Sequence, residues 1–187
     1  MVAPPVTMRW TTRRASVAEA ETLALINLEG WRSAYRGVVP DAHLDSLRVE
    51  DRIERFRARL GLPGPRATWV AVTEDGTIGA YATVVPVREE SDRLPGVPTG
   101  ELASLYAAPR FRGAGAGFAA HQAGLAHLVR EGFGHAVVWV FRANAPARRF
   151  YERCGWQCDG VVKDPQLGGV PTPEIRYSRP LRPGPSP

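Results

Sequence analysis

The chain has 187 residues, of which 44% are hydrophobic and 23% charged, values that are ordinary for one globular domain with a sizeable core. The net charge is +5 and Lys163 is the only lysine; most arginines are interspersed with acids, as in residues 49–60, which favours exposed helix faces over a nucleic-acid-binding surface. No apolar stretch approaches the roughly 20 residues of a membrane-spanning helix, and the first ten residues lack the pattern of an export signal, so we expect a cytoplasmic protein.

Local patterns predict alternating strands and helices along the chain. Ser16 and Glu19 have the spacing of a capping box, which predicts the start of the first helix. The turn at residues 74–76 predicts a β-hairpin, and residues 88–100 read as a loop. The predicted strands are residues 7–13, 67–73, 77–85, 101–107, 135–141, 157–163 and 174–178. The predicted helices are residues 16–35, 41–47, 50–60 and 115–130, followed by one that begins at Asn144 and ends before Gly155.

The most informative segment is residues 101–117, which read ELASLYAAPRFRGAGAG. A strand is stopped by Pro109, and a basic turn then leads through three glycines at alternate positions into a helix. Glycines let the backbone approach a ligand closely, and the positive end of the helix favours a phosphate. The segment therefore predicts a site for a phosphorylated ligand.

Three known phosphate-binding patterns are alternatives for this segment. A P-loop requires a lysine and a hydroxyl residue after its last glycine, but Phe118 follows Gly117. A dinucleotide fingerprint requires a different glycine spacing and an acid about 20 residues later, where residues 136–141 contain none. The third pattern, Arg-x-x-Gly-x-Gly, is met by Arg112, Gly115 and Gly117, and it resembles the acetyl-CoA pyrophosphate loop of the GCN5-related N-acetyltransferases (GNAT).

A second signature of that family follows in the expected order. Residues 135–141 read as a buried strand, and Asn144 is a preferred helix N-cap. The family's signature of a strand, an Asn, a short Phe-Tyr helix, a glycine and an aromatic residue is similar to Asn144, Phe150, Tyr151, Gly155 and Trp156. The resemblance covers essentially the whole chain and is specific in residues 100–156.

The resemblance implies an α/β fold of the α+β type, the acyl-CoA N-acyltransferase fold. Its mixed, largely antiparallel sheet contains a splayed parallel pair of strands and carries helices on both faces. We expect one domain over residues 1–178 and a disordered tail over residues 179–187. Cys154 and Cys158 have neither zinc nor thioredoxin spacing, so we expect packing roles for both.

The resemblance also implies that the cofactor is acetyl-CoA, with no metal. The expected cofactor-binding residues are Leu105, Tyr106, Ala107, Arg112, Gly113, Ala114, Gly115, Ala116, Gly117, Asn144 and Arg148. The family usually has larger side chains at Ala107 and Ala116, so packing volume is reduced there while the backbone donors are kept. A homodimer is compatible with the resemblance, whereas nucleic acid and membrane are not expected as partners.

The implied reaction is direct attack of a primary amine on acetyl-CoA in a ternary complex. Tyr151 is the expected proton donor to the departing thiolate, with a role in the aromatic core as the alternative. Glu101 is the expected general base, with an exposed strand-edge carboxylate as the alternative. Trp31 and Tyr35 are expected to bind the acceptor, a small-molecule or peptide amine. The histidines His121 and His127 are expected on a helix surface. A catalytically silent acyl-CoA sensor and a basic nucleic-acid-binding domain are the competing functions.

Overall fold

The computed structural model describes residues 8–182, which form a seven-stranded sheet with helices on both faces. The strands in chain order are β1 (Thr11–Arg14), β2 (Ala67–Val72), β3 (Ile78–Pro86), β4 (Thr99–Ala107), β5 (His135–Phe141), β6 (Gln157–Lys163), β7 (Gln166–Leu167), β8 (Val170–Pro171) and β9 (Glu174–Pro180). The sheet order is β1-β2-β3-β4-β5-β9-β6, and β7 and β8 form a separate hairpin. Every pair in the large sheet is antiparallel except β4 with β5, as predicted.

Within residues 8–182, five α-helices surround this sheet: α1 (Ala20–Ala34), α2 (Asp41–Ser46), α3 (Val49–Arg59), α4 (Ala116–Arg130) and α5 (Ala145–Arg153). On one face, α1 and α3 approach Tyr81 of β3, which accepts a hydrogen bond from Asn27 and stacks edge-on with Phe56. On the opposite face α4 packs against β2 and β3, where Gly124 faces the alternate β3 residue Val84. Since successive strand residues point to opposite faces, the helices enclose the sheet as two layers.

The local signals in the sequence account for most of these element boundaries. The carboxylate of Glu19 accepts the Ser16 N–H at 2.8 Å, so the capping box forms as predicted. Asn144 caps α5 by accepting the Ala147 N–H at 3.2 Å, and Gly155 follows that helix with a φ of 81°. The first strand begins at Thr11 rather than at residue 7, which lies outside the described residues.

The end of the chain differs from the prediction. The last strand continues through Pro180, and the Leu181 N–H donates to the Gly134 carbonyl at 2.9 Å. Leu181 is itself buried. The predicted tail therefore starts too early at residue 179, and residues 183–187 lie outside the described part of the chain.

The two α4 histidines also differ from the prediction, because both are buried rather than on the helix surface. His121 Nε2 accepts the indole N–H of Trp156 at 2.9 Å, and burial lowers the pKa of His121 to about 4. His127 Nε2 lies 3.0 Å from the carbonyl of Pro65 and so ties α4 to the loop before β2. Helix α4 is buried on more of its surface than its sequence suggests.

The β7–β8 hairpin was not predicted. Its turn is Gly168-Gly169, and both glycines have a positive φ, 59° and 79°. Gly168 packs closely against His43 of α2, where an added Cβ would lie 2.9 Å from the His43 Cβ. Within residues 8–182, no helix combines the length and the apolar character that crossing a bilayer requires.

Candidate active site

A cleft opens where β4 and β5 diverge. The two strands pair only from Thr99 with His135 to Glu101 with Val137. Beyond that point residues 102–107 of β4 and residues 138–141 of β5 line a space of about 420 Å³, which we call the cleft. The backbone of β4 therefore faces a gap in which a linear ligand can take the place of a neighbouring strand.

The loop after β4 presents a group of free backbone donors. Gly113 and Gly115 have φ values of 76° and 88°, a region that favours glycine. Within the described chain, the N–H groups of residues 113 and 115–118 make no backbone hydrogen bond, and the last three of these begin α4. Unpaired amides at a helix N-terminus are suited to an anion, so this loop fits the pyrophosphate of CoA.

The side chain of Arg112 adds a positive charge beside these donors. Arg112 lines the cleft and donates a hydrogen bond to the hydroxyl of Ser33 on α1. That contact holds the guanidinium at the end of the cleft nearest the glycine loop. A phosphate bound by the amides would therefore also meet a fixed cation.

Trp10, which the sequence did not single out, supports the same loop from beneath. Its indole N–H donates to the Ala114 carbonyl at 2.7 Å, and its ring packs edge-on against Phe111 at 5.2 Å. The ring also lies over Gly79, beside the fully buried Ala116. Trp10 thus fills the volume left by the small residue at 116, where a larger side chain was expected from the resemblance.

Tyr151 projects from α5 into the cleft and is only 7% exposed. Burial raises the pKa of its hydroxyl, so the phenol keeps its proton throughout the physiological range. Among residues 8–182, no group hydrogen-bonds to that hydroxyl, which leaves the proton free for a ligand.

An aromatic cluster closes the cleft on the side of α1. Tyr35 stacks edge-on with Phe141 at 4.6 Å and with Trp31 at 4.9 Å. Its hydroxyl lies 3.4 Å from that of Tyr106, which is packed over Gly30. Burial raises the pKa of both tyrosines, so the wall of the cleft is neutral and hydroxyl-lined at this point.

A larger cavity of about 630 Å³ adjoins the cleft, between α3 and the face of the sheet that α1 covers. Trp31 lines this cavity, whereas Tyr35 lines the cleft. The two spaces share three residues of β4: Ala103, Ser104 and Tyr106. A site shaped for a linear cofactor and a site wide enough for a second small molecule therefore adjoin along one strand.

The sequence model described as Acetyltransferase (GNAT) family matches residues 28–156. The chain belongs to this family. Membership makes it an acetyl-CoA-dependent acyltransferase.

Other proteins resemble this acetyltransferase over most of its length. The N-acetyltransferase YuaI of Bacillus subtilis (strain 168), described as uncharacterized, is 26% identical over 166 residues, which are 88% of this chain and 90% of the relative. Ribosomal-protein-alanine N-acetyltransferase from Brucella melitensis has a TM-score of 0.71 at 20% identity and covers 91% of this chain and 99% of its own. A phosphinothricin acetyltransferase from Sinorhizobium meliloti, solved with acetyl-CoA, has a TM-score of 0.70 at 21% identity, and the match covers 93% of this chain and 89% of that protein. These structures confirm the predicted fold.

Most of the predicted cofactor residues of the acetyltransferase lie together. Those that line the cleft are Leu105, Tyr106, Ala107, Arg112 and Asn144. Residues 113–117 form the glycine loop at its end. Arg148 is placed elsewhere: its guanidinium donates to the hydroxyl of Tyr177 at 3.3 Å and to the carbonyl of Arg142 at 3.2 Å. Nothing in these contacts directs Arg148 toward the cleft.

Glu101 is buried rather than exposed at a strand edge, with 2% of its surface accessible. Both carboxylate oxygens accept hydrogen bonds from Arg88, one of them from Nε at 2.8 Å. Glu101 is not among the residues that line either space. The carboxylate is thus bound to Arg88 and lies away from both spaces, so it is not placed to meet a substrate.

Glu174 at the start of β9 is the carboxylate that reaches the cleft. It lies opposite Phe141 across the β5–β9 pair, and Lys163 Nζ is 3.4 Å from one of its oxygens. Burial raises the pKa of Glu174 despite the nearby lysine. Its position depends on strand pairing between distant segments, so no local motif could have identified it.

Within residues 8–182, no cluster of three or more His, Cys, Asp or Glu side chains could hold a metal ion.

Proposed function

We propose that this acetyltransferase transfers the acetyl group of acetyl-CoA, bound in the cleft, to a primary amine that enters from the adjoining cavity. The amine attacks the thioester directly while both substrates are bound. The observation that carries this proposal is the shared wall at Ala103, Ser104 and Tyr106, which brings the two spaces together on β4. An amine and a thioester that meet at these shared residues can react directly, without a covalent enzyme intermediate.

The cofactor is placed by groups at both ends of the cleft. The free amides of residues 113 and 115–118, with Arg112, bind the pyrophosphate. The pantetheine arm runs along β4 near residues 105–107, where the unpaired edge of the strand can hydrogen-bond its amides. A backbone N–H of β4 polarises the thioester carbonyl and stabilises the charge that develops on its oxygen.

Proton transfer in the proposed reaction involves two side chains of the cleft. Tyr151 donates its proton to the departing CoA thiolate. Glu174 accepts the proton of the attacking amine, directly or through water, and its raised pKa makes it a better base than an ordinary glutamate. Glu101, which the sequence favoured for this role, instead holds Arg88 at the rim of the cavity.

Thiol release from acetyl-CoA, measured against a panel of primary amines and corrected for hydrolysis without amine, tests the proposal. CoA binding is measured in parallel by calorimetry. We expect CoA to bind and at least one class of amine to release thiol. Binding without release on the whole panel would instead identify an acyl-CoA sensor, and absence of CoA binding would refute the assignment of the loop.

Three further expectations are kept as proposals. A cytoplasmic location is supported by Cys154 and Cys158, which form no disulfide in the structure. One domain over residues 1–178, extended to Pro180 by β9, is supported by the continuous sheet. A homodimer is to be tested by light scattering in solution.

A further inference from the structure

The cavity beside the cleft has an unusual balance of charge. Six arginines line it, and Asp51 is the only acidic residue among the lining residues. The arginines are Arg48, Arg52, Arg55, Arg59, Arg66 and Arg88. We infer that the acceptor of this acetyltransferase is an anionic amine, whose oxyanion group (a carboxylate or a phosphate-type group) is bound by these arginines while its amine points to the cleft. This inference rests on the proposed function.

Arg52 is the central observation. Its side chain lines the cavity and is only 8% exposed, and its Nε is buried without a hydrogen-bond partner within the described chain. A buried guanidinium with an unsatisfied donor is costly for a folded protein unless a ligand completes it. A planar guanidinium is also the group best suited to bind an oxyanion through two parallel hydrogen bonds.

The spacing of the α3 arginines places three of them on one face of the helix. Arg52, Arg55 and Arg59 are related by three and four residues, which is the repeat of a single helical face. Phe56 lies on the same face and contacts Tyr81 of the sheet, so this face is turned toward the cavity. Arg57 lies on another face, where it pairs with Glu54 at 2.8 Å.

Four of the lining arginines have no ion-pair partner in the part of the chain that the structure describes. Arg48 pairs with Glu50 and Arg88 pairs with Glu101. The other four, namely Arg52, Arg55, Arg59 and Arg66, form no ion pair with an acid in residues 8–182. Burial is the main cause of the lowered pKa of Arg52 and Arg59, and neighbouring arginines lower both further. An oxyanion entering the cavity would relieve this repulsion.

The floor of the cavity is neutral and polar. The hydroxyls of Thr68 and Thr83 lie 3.0 Å apart, and the hydroxyl of Tyr81 accepts from Asn27 at 2.7 Å. Toward the cleft the lining changes to Ser104 and to the half-buried Tyr106. The cavity therefore reaches from the arginines of α3 to the residues that it shares with the cleft, so one molecule can place its acid against the arginines and its amine at the cleft.

The phosphates of CoA do not account for the arginine cluster. The free amides and Arg112 lie at the end of the cleft, and none of them lines the cavity beside α3. None of the six cavity arginines is among the residues that line the cleft. The cluster therefore belongs to the acceptor's side of the site.

Calorimetry of 3-aminopropylphosphonate and L-glutamate in the presence of CoA tests the inference, with thiol release measured on the same amines. Propylamine and L-glutamine serve as uncharged counterparts, and putrescine as a cationic one. The variants are Arg52→Gln and Arg59→Gln, with Arg57→Gln as the control from the outer face of α3. The more exposed Arg59 provides a test even if a change at Arg52 disturbs folding.

We expect the anionic amines to bind and react better than their counterparts, and Arg52→Gln to weaken their binding by about 10- to 100-fold. Arg52→Gln should keep the CoA affinity of the unmodified protein, and the Arg57→Gln control should bind both CoA and the anionic amines as the unmodified protein does. Preference between the phosphonate and the carboxylate identifies the oxyanion. Turnover of neutral or cationic amines with no dependence on Arg52 or Arg59 would overturn the inference while leaving the acetyltransferase reaction intact. Oxyanion binding that depends on Arg52 without any thiol release would support the subsite and refute the proposed reaction.

Discussion

Two buried tyrosines that lie side by side allow the role of Tyr151 to be tested against a matched control. The rings of Tyr151 and Tyr177 are 6.3 Å apart, and both are almost fully buried. The Tyr151 hydroxyl faces the cleft, whereas that of Tyr177 donates to Glu152 at 2.6 Å on the far side. Replacing each tyrosine by phenylalanine removes one hydroxyl and leaves the packing of the ring in place.

The two substitutions should change different quantities: Tyr151→Phe should lower turnover, and Tyr177→Phe should lower the stability of the fold. Loss of a general acid lowers turnover by roughly 10²–10⁴-fold, so Tyr151→Phe should raise the activation barrier by about 3–5 kcal/mol. Because its hydroxyl has no partner within residues 8–182, the free energy of unfolding should change by less than about 0.5 kcal/mol. Tyr177→Phe breaks the hydrogen bonds with the exposed Glu152 and with Arg148, and it should lower the free energy of unfolding by about 1–2 kcal/mol with turnover unchanged.

Steady-state thiol release and urea unfolding of the two variants measure these quantities. The affinity for acetyl-CoA should be unaffected by Tyr151→Phe, since the ring that lines the cleft remains. Turnover of Tyr151→Phe within about twofold of the unmodified protein would refute the acid role. An equal loss of turnover in Tyr177→Phe would show that the effect comes from packing around α5 and not from proton donation.

Three further predictions concern the base and the cofactor loop. A general base is active only when deprotonated, so activity should rise with pH through the pKa of Glu174, which burial raises above the ordinary glutamate value near 4.3. Glu174→Gln should abolish this acidic limb of the kcat/KM profile, whereas Glu101→Gln should leave it in place. Gly117→Ala should raise the melting temperature, since an added Cβ meets nothing within 4 Å and alanine favours a helix by about 1 kcal/mol. Calorimetry should nevertheless show weaker CoA binding, and an unchanged affinity would show that the phosphate is not bound at this turn. Trp10→Phe loses the 2.7 Å hydrogen bond to Ala114, so it should lower the free energy of unfolding by about 1 kcal/mol in urea titrations. It should also weaken CoA binding, and an unaltered CoA affinity would contradict a role for Trp10 in shaping the loop.

Local sequence signals predicted the parts of the site that are built from contiguous residues. The glycine loop and the capped helix after Asn144 each depend on interactions within a few positions, so their patterns are visible in the sequence. Trp10 and Glu174 are different. Trp10 reaches Ala114 across 104 positions, and Glu174 enters the cleft through the pairing of β9 with β5, so neither contact leaves a local pattern.

The arginines of α3 fall between these two cases. Their alternation with acids over residues 49–60 favoured an exposed helix, and this is correct for Arg57 and Glu54. It is wrong for Arg52, which is buried on the face that Phe56 turns toward the sheet. The position of that aromatic side chain was the available signal, because an apolar residue in a charged helix marks the inward face regardless of its neighbours.

The lining of the two spaces also bears on how an amine can attack at neutral pH. In water an alkylamine is protonated, with a pKa near 10.4, and cannot act as a nucleophile. Between the cavity and the cleft it would pass Ser104 and Tyr106, where burial keeps the phenol neutral, with four unpaired arginines behind it. Loss of water and nearby positive charge both disfavour the ammonium form, whereas the acidic group of an anionic amine is stabilised by the same arginines. The charge that would select the acceptor would thus also lower the pKa of its amine before Glu174 removes the proton.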